Sequence, residues 1–292
     1  MNGHTNGYDD VQPLVKKAKL GGQRVFVTGG SGLVGGQCAK LFRDAGWDVI
    51  ATHKSFATDD TVYFNCSNEN DAANFDVAAW RPHVVIHCAA MTNVDVCEEK
   101  PDESHTHNVQ ATQQMARLCK ECGAQLVYIS TDYVFDGVAG PYSEDAVPAP
   151  LSVYGKHKLE GEQIALGDDA LRAVVLRITN VYGSEARGKN FVARVFGNAR
   201  KTVDGAPMHM RLPSDQFATP VDAASVAAVA KMLITDKKAG VYHVASSEYV
   251  SRVQLAAKVV KSIERHQVTI EQVVTSDLGQ VAPRPLKGGC VS

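Results

Sequence analysis

Short apolar runs alternate with longer amphipathic segments along the first part of this 292-residue chain. Each run has the length of a strand, and each segment that follows it repeats apolar residues at helical spacing. This alternation is typical of βαβ units and predicts an α/β fold with a doubly wound parallel sheet. The predicted strands are Arg24–Thr28, Asp48–Thr52, Val84–Ala89, Gln125–Ser130 and Ala173–Ile178, and the predicted helices are Leu33–Ala45, His107–Cys122 and Val153–Leu166.

The pattern changes after Tyr182-Gly183, where a stretch that contains Pro and Met residues separates the apolar segments. Apolar residues at helical spacing occur both before and after this stretch. Asp222 is at a position where it can cap the helix that follows it. We predict helices over Phe191–Arg200, from Asp222 to about Ile234, and over Arg252–Ile263, with a strand over Val241–Ala245.

A glycine-rich turn, Thr28-Gly29-Gly30-Ser31-Gly32-Leu33-Val34-Gly35, joins the first predicted strand to the first predicted helix. Strand, glycine turn and helix form the context of a dinucleotide fingerprint. Glycines let the backbone approach a pyrophosphate, and free N–H groups at the helix start bind it. The alternative is a plain strand-to-helix turn, which three glycines at this spacing disfavour. The predicted cofactor-binding residues here are Gly29, Ser31, Gly32, Leu33, Val34 and Gly35.

A hydroxyl residue and a Tyr–Lys pair follow the strand that ends at Ser130. Tyr154 and Lys158 are four residues apart and so share one helix face. An ammonium group beside a phenol lowers its pKa from the reference value of about 10. Tyr154 can then donate a proton to a carbonyl oxygen as hydride reaches the carbon, while Thr131 holds that oxygen. We predict Thr131, Tyr154 and Lys158 as catalytic residues, although a Tyr–Lys pair can also lie on an ordinary surface helix.

Together these motifs resemble the extended short-chain dehydrogenase/reductase family over Gln23 to Pro285. Ser130–Gly137, Pro150–Lys156, Gln216–Pro220 and Arg284-Pro285 resemble the dTDP-4-dehydrorhamnose reductases. A sister group with the same pattern is the regulatory β subunit of methionine adenosyltransferase, which keeps the nucleotide site but serves as a binding partner. The resemblance implies a Rossmann-like, NADP-binding domain over residues 23–183 and mainly a substrate lobe over 184–292, interleaved with the sheet.

Two functions remain open on this resemblance. The first is NADPH-dependent reduction of the C4 ketone of a nucleotide-sugar substrate, from dTDP-4-dehydro-L-rhamnose to dTDP-L-rhamnose. The second is a non-catalytic, NADP-binding role with a methionine adenosyltransferase catalytic subunit as partner. Thr131 favours the reductase, whereas Asn180 stands where bacterial reductases tend to have Trp. The implied substrate-binding residues are Thr92, Val94, Thr131, Asp132, Tyr133 and Asn180, and the implied further cofactor contacts are Ala89, Ala90, Tyr154 and Lys158.

The end of the second predicted strand bears on the choice of cofactor. NAD-binding proteins usually place an acid about 20 residues after the glycines to hold the ribose 2′-hydroxyl. Here the chain reads Ala51-Thr52-His53-Lys54-Ser55, and no acid follows until Asp59. Lys54, together with His53, can instead pair with a 2′-phosphate. We therefore predict NADP rather than NAD.

Composition and charge exclude several other classes. A net charge of −2 argues against binding nucleic acid by phosphate neutralisation. No apolar run approaches the roughly 18 residues of a membrane span. The first 22 residues lack the apolar region of a signal peptide, and we expect a mobile tail there. Seven cysteines without a secretory signal suggest free thiols in the reducing cytoplasm. Cys119 and Cys122 precede a glycine that is expected to end their helix. A reactive thiolate is favoured at the N-terminus of a helix, so no redox role is predicted for this pair. No metal site is predicted either.

Overall fold

The computed structural model describes residues 22–71 and 73–291. The mobile tail predicted for residues 1–22 lies outside the described residues, apart from Gly22. The strands are β1 (Arg24–Thr28), β2 (Asp48–His53), β3 (Val62–Tyr63), β4 (Val84–His87), β5 (Gln125–Thr131), β6 (Ala173–Ile178), β7 (Met208–Pro213), β8 (Phe217–Ala218), β9 (Gly240–Val244), β10 (Val250–Ser251) and β11 (Val268–Val273). The α-helices are α1 (Leu33–Asp44), α2 (Val77–Trp80), α3 (Val94–Glu99), α4 (Pro101–His105), α5 (Ala111–Cys122), α6 (Val153–Leu166), α7 (Phe191–Lys201), α8 (Ala223–Thr235) and α9 (Arg252–Lys261).

Seven strands form one sheet in the order β3-β2-β1-β4-β5-β6-β9. All neighbouring pairs in this sheet are parallel. This confirms the predicted doubly wound α/β fold, with strand order reversing between β1 and β4. The predicted elements lie within a few residues of the observed ones. The largest difference is at the start of the helix predicted from His107, where Thr106–Gln110 form a π-helical turn ahead of α5.

The sheet is buried on both faces because each apolar strand has a hydrophobic core on either side. Along β1, the side chain of Phe26 enters one core, and Val25 and Val27 enter the other. The first core is completed by residues of α5 and α6, and the second by residues of α1 and α8. Helix α8 lies late in the chain yet packs on the central sheet, and β9 pairs with β6. The second half of the chain therefore interleaves with the first.

A smaller lobe is built from the remaining late elements. β7 pairs with β11 in parallel, β8 pairs with β10 in antiparallel, and α7 packs with α9 around Val195, Ala199, Ala256 and Val260. Asp222 caps α8 as predicted, because its Oδ1 accepts hydrogen bonds from the N–H groups of Ala224 and Ser225 at 2.9 and 3.1 Å.

The cysteines agree with the expectation of free thiols. All seven lie in the described part of the chain, and none forms a disulfide. Gly123 ends α5 with φ 69°, so Cys119 and Cys122 lie in the last turn of that helix. Among the residues that the structure describes, no helix is both long and apolar enough to cross a membrane. The same residues contain no cluster of three or more His, Cys, Asp or Glu side chains that could hold a metal ion.

Candidate functional site

A cavity of 680 Å³ opens at the carboxyl ends of the central strands. It lies where the strand order reverses, which is the usual ligand crevice of such sheets. Its lining joins the glycine turn, the end of β2, the segment after β4, the end of β5 and helix α6. The structure brings all the predicted cofactor-binding and catalytic residues to this lining: Gly29, Ser31, Gly32, Leu33, Val34, Gly35, His53, Lys54, Ala89, Ala90, Thr131, Tyr154 and Lys158.

The glycine turn is shaped by close backbone contacts. Gly29 has φ 67°, and a Cβ there would lie 2.8 Å from the N atom of Ala89. A Cβ at Gly35 would lie 2.3 Å from the carbonyl oxygen of Gly29. Gly32 differs, because its Cβ would meet only the Gly29 oxygen at 3.2 Å, and the residue borders the cavity. Gly29 and Gly35 are therefore required by close backbone packing, whereas Gly32 leaves room for a ligand.

Helix α1 begins at Leu33 with its first N–H groups available to an anion. The N-cap residue, Gly32, provides no side-chain hydrogen bond to these groups. Unsatisfied N–H groups and the helix dipole favour a phosphate at this point. The open approach at Gly32 and the uncapped N–H groups therefore fit the pyrophosphate of a dinucleotide.

Lys54 belongs to a polar group at the far end of the cavity. Its Nζ donates a hydrogen bond to Ser67 Oγ at 3.3 Å, and Ser67 Oγ is 2.9 Å from His107 Nδ1. All three side chains line the cavity. Burial, and then Lys54, lower the pKa of His107. Asp59, the first acid after β2, is exposed and lies outside the lining.

His53 lines the cavity but is already engaged by a neighbour. Its Nδ1 is 2.9 Å from Thr61 Oγ1, and burial lowers the pKa of the ring below its usual range. A neutral imidazole adds no charge for a phosphate. Of the two cations predicted for the 2′-phosphate, Lys54 is therefore the better placed.

The segment between β6 and α7 closes one side of the cavity. Glu185, Arg187, Lys189 and Asn190 all line it. The guanidinium of Arg187 lies over the ring of Phe56, 5.4 Å from its centroid, and so links this segment to the loop after β2. Sequence reasoning missed these residues, as it missed Ser67 and His107, because no motif marks them.

The three predicted catalytic residues come from two adjacent elements. Thr131 is the last residue of β5, and Tyr154 and Lys158 lie on one face of α6. Ser152 caps α6, since its Oγ accepts a hydrogen bond from the Gly155 N–H at 3.2 Å. A Cβ at Gly155 would lie 2.2 Å from the Tyr133 carbonyl oxygen, so this glycine allows α6 to approach the end of β5.

Burial dominates the acid–base properties of Tyr154. Desolvation raises the pKa of its phenol well above the usual value, and a hydrogen bond with Thr131 opposes this only in part. The predicted lowering of the Tyr154 pKa by Lys158 is therefore wrong. Burial lowers the pKa of Lys158 itself to about 7, although Glu162 and Cys88 counteract this. A protonated phenol is the form that can donate a proton to a ketone.

The predicted substrate-binding residues divide into two groups. Thr92, Thr131 and Asn180 line the cavity, whereas Val94, Asp132 and Tyr133 do not. Asn180 has φ 41°, a left-handed conformation that Asn tolerates better than most residues. The buried carboxylate of Asp132 is occupied within the protein. Its Oδ2 accepts hydrogen bonds from Thr179 Oγ1 at 2.8 Å and from the Gly289 N–H at 2.9 Å.

Tyr133 instead contacts Tyr154 and is influenced by the charges of two arginines. Its ring packs edge-on against that of Tyr154, with centroids 5.7 Å apart. Burial raises the pKa of Tyr133, and Arg252 and Arg284 lie close enough to oppose this. Arg284 bonds Asp95 Oδ2 through Nη2 at 2.6 Å, while its Nη1 is buried without a partner among the described residues. The guanidinium of Arg252 lies 4.8 Å from the centroid of the Phe191 ring.

The family model described as the RmlD substrate binding domain matches residues 23–289. The chain belongs to this family. Among curated proteins, it is 30% identical over 277 residues to the methionine adenosyltransferase 2 subunit beta of Xenopus tropicalis, covering 94% of this chain and 82% of that protein. It is 32% identical over 267 residues to the "Probable low-salt glycan biosynthesis reductase Agl14" of Haloferax volcanii, covering 89% of this chain and 87% of that protein.

Solved structures of the family have the same architecture. A dTDP-4-dehydrorhamnose reductase from Clostridium acetobutylicum aligns with a TM-score of 0.80 at 28% identity, covering 92% of this chain and 90% of that one. The Bacillus anthracis dTDP-4-dehydrorhamnose reductase in complex with NADP aligns with a TM-score of 0.77 at 27% identity, covering 90% and 88%. These matches confirm the fold and the resemblance inferred from the motifs.

Proposed function

We propose that this protein is an NADPH-dependent reductase of the C4 ketone of a nucleotide-linked 6-deoxy sugar. The reaction would convert dTDP-4-dehydro-L-rhamnose to dTDP-L-rhamnose. The observation that carries the proposal is that Tyr154, Thr131 and Lys158 line the same cavity as the glycine turn. This arrangement joins a nucleotide site to a proton donor.

Each of the three side chains would have a separate role in the reduction. Bound NADPH would supply the hydride to the ketone carbon. The Thr131 hydroxyl would donate a hydrogen bond to the ketone oxygen, and the Tyr154 phenol would give that oxygen its proton. Burial keeps this phenol protonated beforehand. The Lys158 ammonium would stabilise the phenolate that remains and hold the ribose next to the nicotinamide.

Two observations support NADP as the cofactor. Lys54 lines the cavity, and within the described chain its hydrogen bond goes to the neutral hydroxyl of Ser67 and no carboxylate forms an ion pair with it, so its charge can act on a 2′-phosphate. The relative from Bacillus anthracis was solved in complex with NADP. A lysine and a phosphate form a charge-assisted contact that the ribose 2′-hydroxyl of NAD cannot provide.

Arginine charge near Tyr133 supports a substrate with phosphate groups. Arg284 has a side chain that is 8% exposed and an Nη1 without a partner in the described chain. Arg252 stacks on Phe191, and no ion pair links it to a described carboxylate. Guanidinium groups bind phosphate oxygens well. A nucleotide diphosphate on the sugar would meet these groups beyond Tyr133.

A regulatory role is the second candidate, and one comparison favours it. The methionine adenosyltransferase 2 subunit beta of Xenopus tropicalis matches nearly the whole chain. In this case the protein would hold NADP in the same cavity and bind a methionine adenosyltransferase catalytic subunit. An intact Thr131, Tyr154 and Lys158 set is compatible with both roles.

The two candidates can be separated with the purified full-length protein. NADPH oxidation is followed with dTDP-4-dehydro-L-rhamnose as substrate, and the sugar product is identified by NMR. In parallel, the protein is tested for co-elution with a methionine adenosyltransferase catalytic subunit. Substrate-dependent NADPH oxidation that yields dTDP-L-rhamnose supports the reductase. Co-elution with no oxidation above background supports the regulatory subunit instead.

A further inference from the structure

Three buried polar side chains form a network directly behind the catalytic residues. Glu162 Oε1 accepts hydrogen bonds from Ser130 Oγ at 2.5 Å and from Arg177 Nε at 2.9 Å. Glu162 Oε2 accepts a second bond from Arg177 Nη2 at 2.7 Å. The side chains of Arg177 and Glu162 are only 5% and 3% exposed. Ser130 precedes Thr131, so the network touches the strand end that carries the substrate-holding hydroxyl.

Glu162 also lies on the same helix as the catalytic pair. Tyr154, Lys158 and Glu162 follow one another at intervals of four residues on α6 and therefore lie along one face. Lys158 is 3% exposed, and Glu162 is 2% exposed. Their mutual attraction is thus weakly screened by water. A negative charge one helical turn away favours the protonated form of Lys158.

The other titratable groups around Lys158 are neutral at pH 7. Burial lowers the pKa of His87, on β4, to about 3. Cys88, directly after β4, has a thiol pKa raised by its hydrogen bond with Cys38 and by burial. Burial also raises the phenol pKa values of Tyr128 on β5 and Tyr154 on α6. Among the described residues, Glu162 is the first charge that acts on Lys158, and Arg177 on β6 is bonded to that carboxylate.

We propose that Glu162 is a positioning residue for the reductase centre, whose carboxylate, fixed by Ser130 and Arg177, favours the ammonium form of Lys158 over the neutral amine. The proposal rests on the proposed function for its catalytic meaning. Arg177 orients the carboxylate through its hydrogen bonds, and Ser130 ties it to the strand that carries Thr131. Burial alone lowers the pKa of Lys158, and Glu162 is the first group that counteracts this.

A purely structural ion pair is the competing explanation. A buried Arg–Glu pair often contributes little net stability, because desolvation offsets the Coulomb attraction. Such a pair could join α6 to β6 without any effect on Lys158. The two explanations differ in one measurable property, since only a charge-setting role ties the titration of Lys158 to Glu162.

The test is the titration of Lys158 in the full-length protein without cofactor. Competitive acetylation with trace acetic anhydride from pH 5 to 10 measures the reactive, unprotonated fraction of Lys158. Exposed Lys156 serves as the internal reference, and fragment-ion mass spectrometry separates the two sites. In Glu162→Gln, the midpoint for Lys158 should fall by about 1 unit or more relative to the parent protein. In Ser130→Ala, which changes no charge, it should stay close to that of the parent.

A second variant guards against misfolding. Glu162→Gln leaves a buried arginine unpaired, whereas the double variant Glu162→Gln/Arg177→Met removes both charges and retains volume. The midpoint for Lys158 should fall in the double variant as well, but by less than in Glu162→Gln, because loss of the Arg177 charge offsets part of the effect while Glu162 acts on Lys158 more strongly. The alkaline limb of kcat/KM should move to lower pH together with the midpoint in each variant. An unchanged midpoint in the folded double variant would overturn the proposal. The acetylation needs no substrate, so absence of turnover in the parent protein would instead count against the reductase function.

Discussion

The ammonium group of Lys158 lies over the face of Tyr128, 4.0 Å from the ring centroid. This cation–π contact compensates only part of the loss of water, because burial still lowers the pKa of Lys158 from 10.5 to about 7. Between these two values the unfolded chain binds more protons at this residue than the folded protein does. The free energy of unfolding should therefore rise with pH from about pH 7 upward.

This linkage predicts a specific effect of Lys158→Met. The parent protein should gain stability between pH 7 and 9 with a contribution of up to about 1.4 kcal/mol per pH unit from this group. The variant should lack that contribution, because its side chain does not titrate. Urea unfolding at pH 7, 8 and 9 measures both slopes. Lys156→Met, at an exposed site on the same helix, is the control and should keep the parent slope; equal slopes in all three proteins would contradict the linkage.

Cofactor choice should depend on Lys54. Replacement by Glu should weaken NADPH binding by about 1.5–3 kcal/mol through loss of one charge-assisted contact, and should affect NADH less. Calorimetric titration of both cofactors measures the difference. Lys40→Glu makes the same charge change on the exposed face of α1, where Lys40 pairs with Asp44, and should leave both affinities unchanged. Equal affinities of the parent protein for NADPH and NADH would refute the assignment.

Substitution of Gly32 should leave folding intact but weaken cofactor binding. Its backbone has φ −90°, which alanine adopts readily, and a Cβ would meet only one protein atom, at 3.2 Å. Gly32→Ala should therefore fold normally and lose about 1–3 kcal/mol of NADPH affinity by overpacking against the pyrophosphate. Thermal unfolding and calorimetry test the two parts separately. Gly197→Ala, in α7 with no neighbour within 4 Å, is the matched control; normal NADPH binding by Gly32→Ala would make the turn purely structural.

The arginines beyond Tyr133 should act on substrate binding. Arg252→Met keeps most of the packing on Phe191 but removes the charge, so the KM for the nucleotide sugar should rise roughly ten- to hundred-fold. The kcat should change little, because the proposed diphosphate would bind away from the reacting carbon. Steady-state kinetics decide this, with Arg200→Met in the last turn of α7 as control. A KM that does not change in Arg252→Met would remove this residue from the substrate site.

Much of the fold followed from local patterns. Apolar runs such as Val25-Phe26-Val27 have the length of strands, and the glycine turn after them marks where the nucleotide crevice begins. The spacing of Tyr154 and Lys158 was sufficient to put both on one helix face, because that face is a local property of α6. These features depend on residues that are near one another in the chain.

The features that were missed depend on long-range packing. Asp132 was expected to contact substrate, yet its carboxylate binds Gly289, which is 157 residues away. The Ser67–His107 contact joins a loop to the π-helical turn before α5, and neither segment carries a motif. The predicted direction of the pKa shift of Tyr154 is also wrong, because the spacing of two residues does not reveal how strongly the tertiary structure desolvates the phenol.

The central claim is that the Tyr154 phenol is the proton donor in a ketone reduction. The most direct measurement compares single-turnover NADPH oxidation by the parent protein and by Tyr154→Phe, with dTDP-4-dehydro-L-rhamnose at saturation. The phenylalanine ring keeps the packing against Tyr133 and removes only the hydroxyl. We predict a rate lower by about 10²- to 10⁴-fold in the variant, with NADPH affinity nearly unchanged. A parent rate equal to that of Tyr154→Phe would contradict the account and leave the regulatory role as the better explanation.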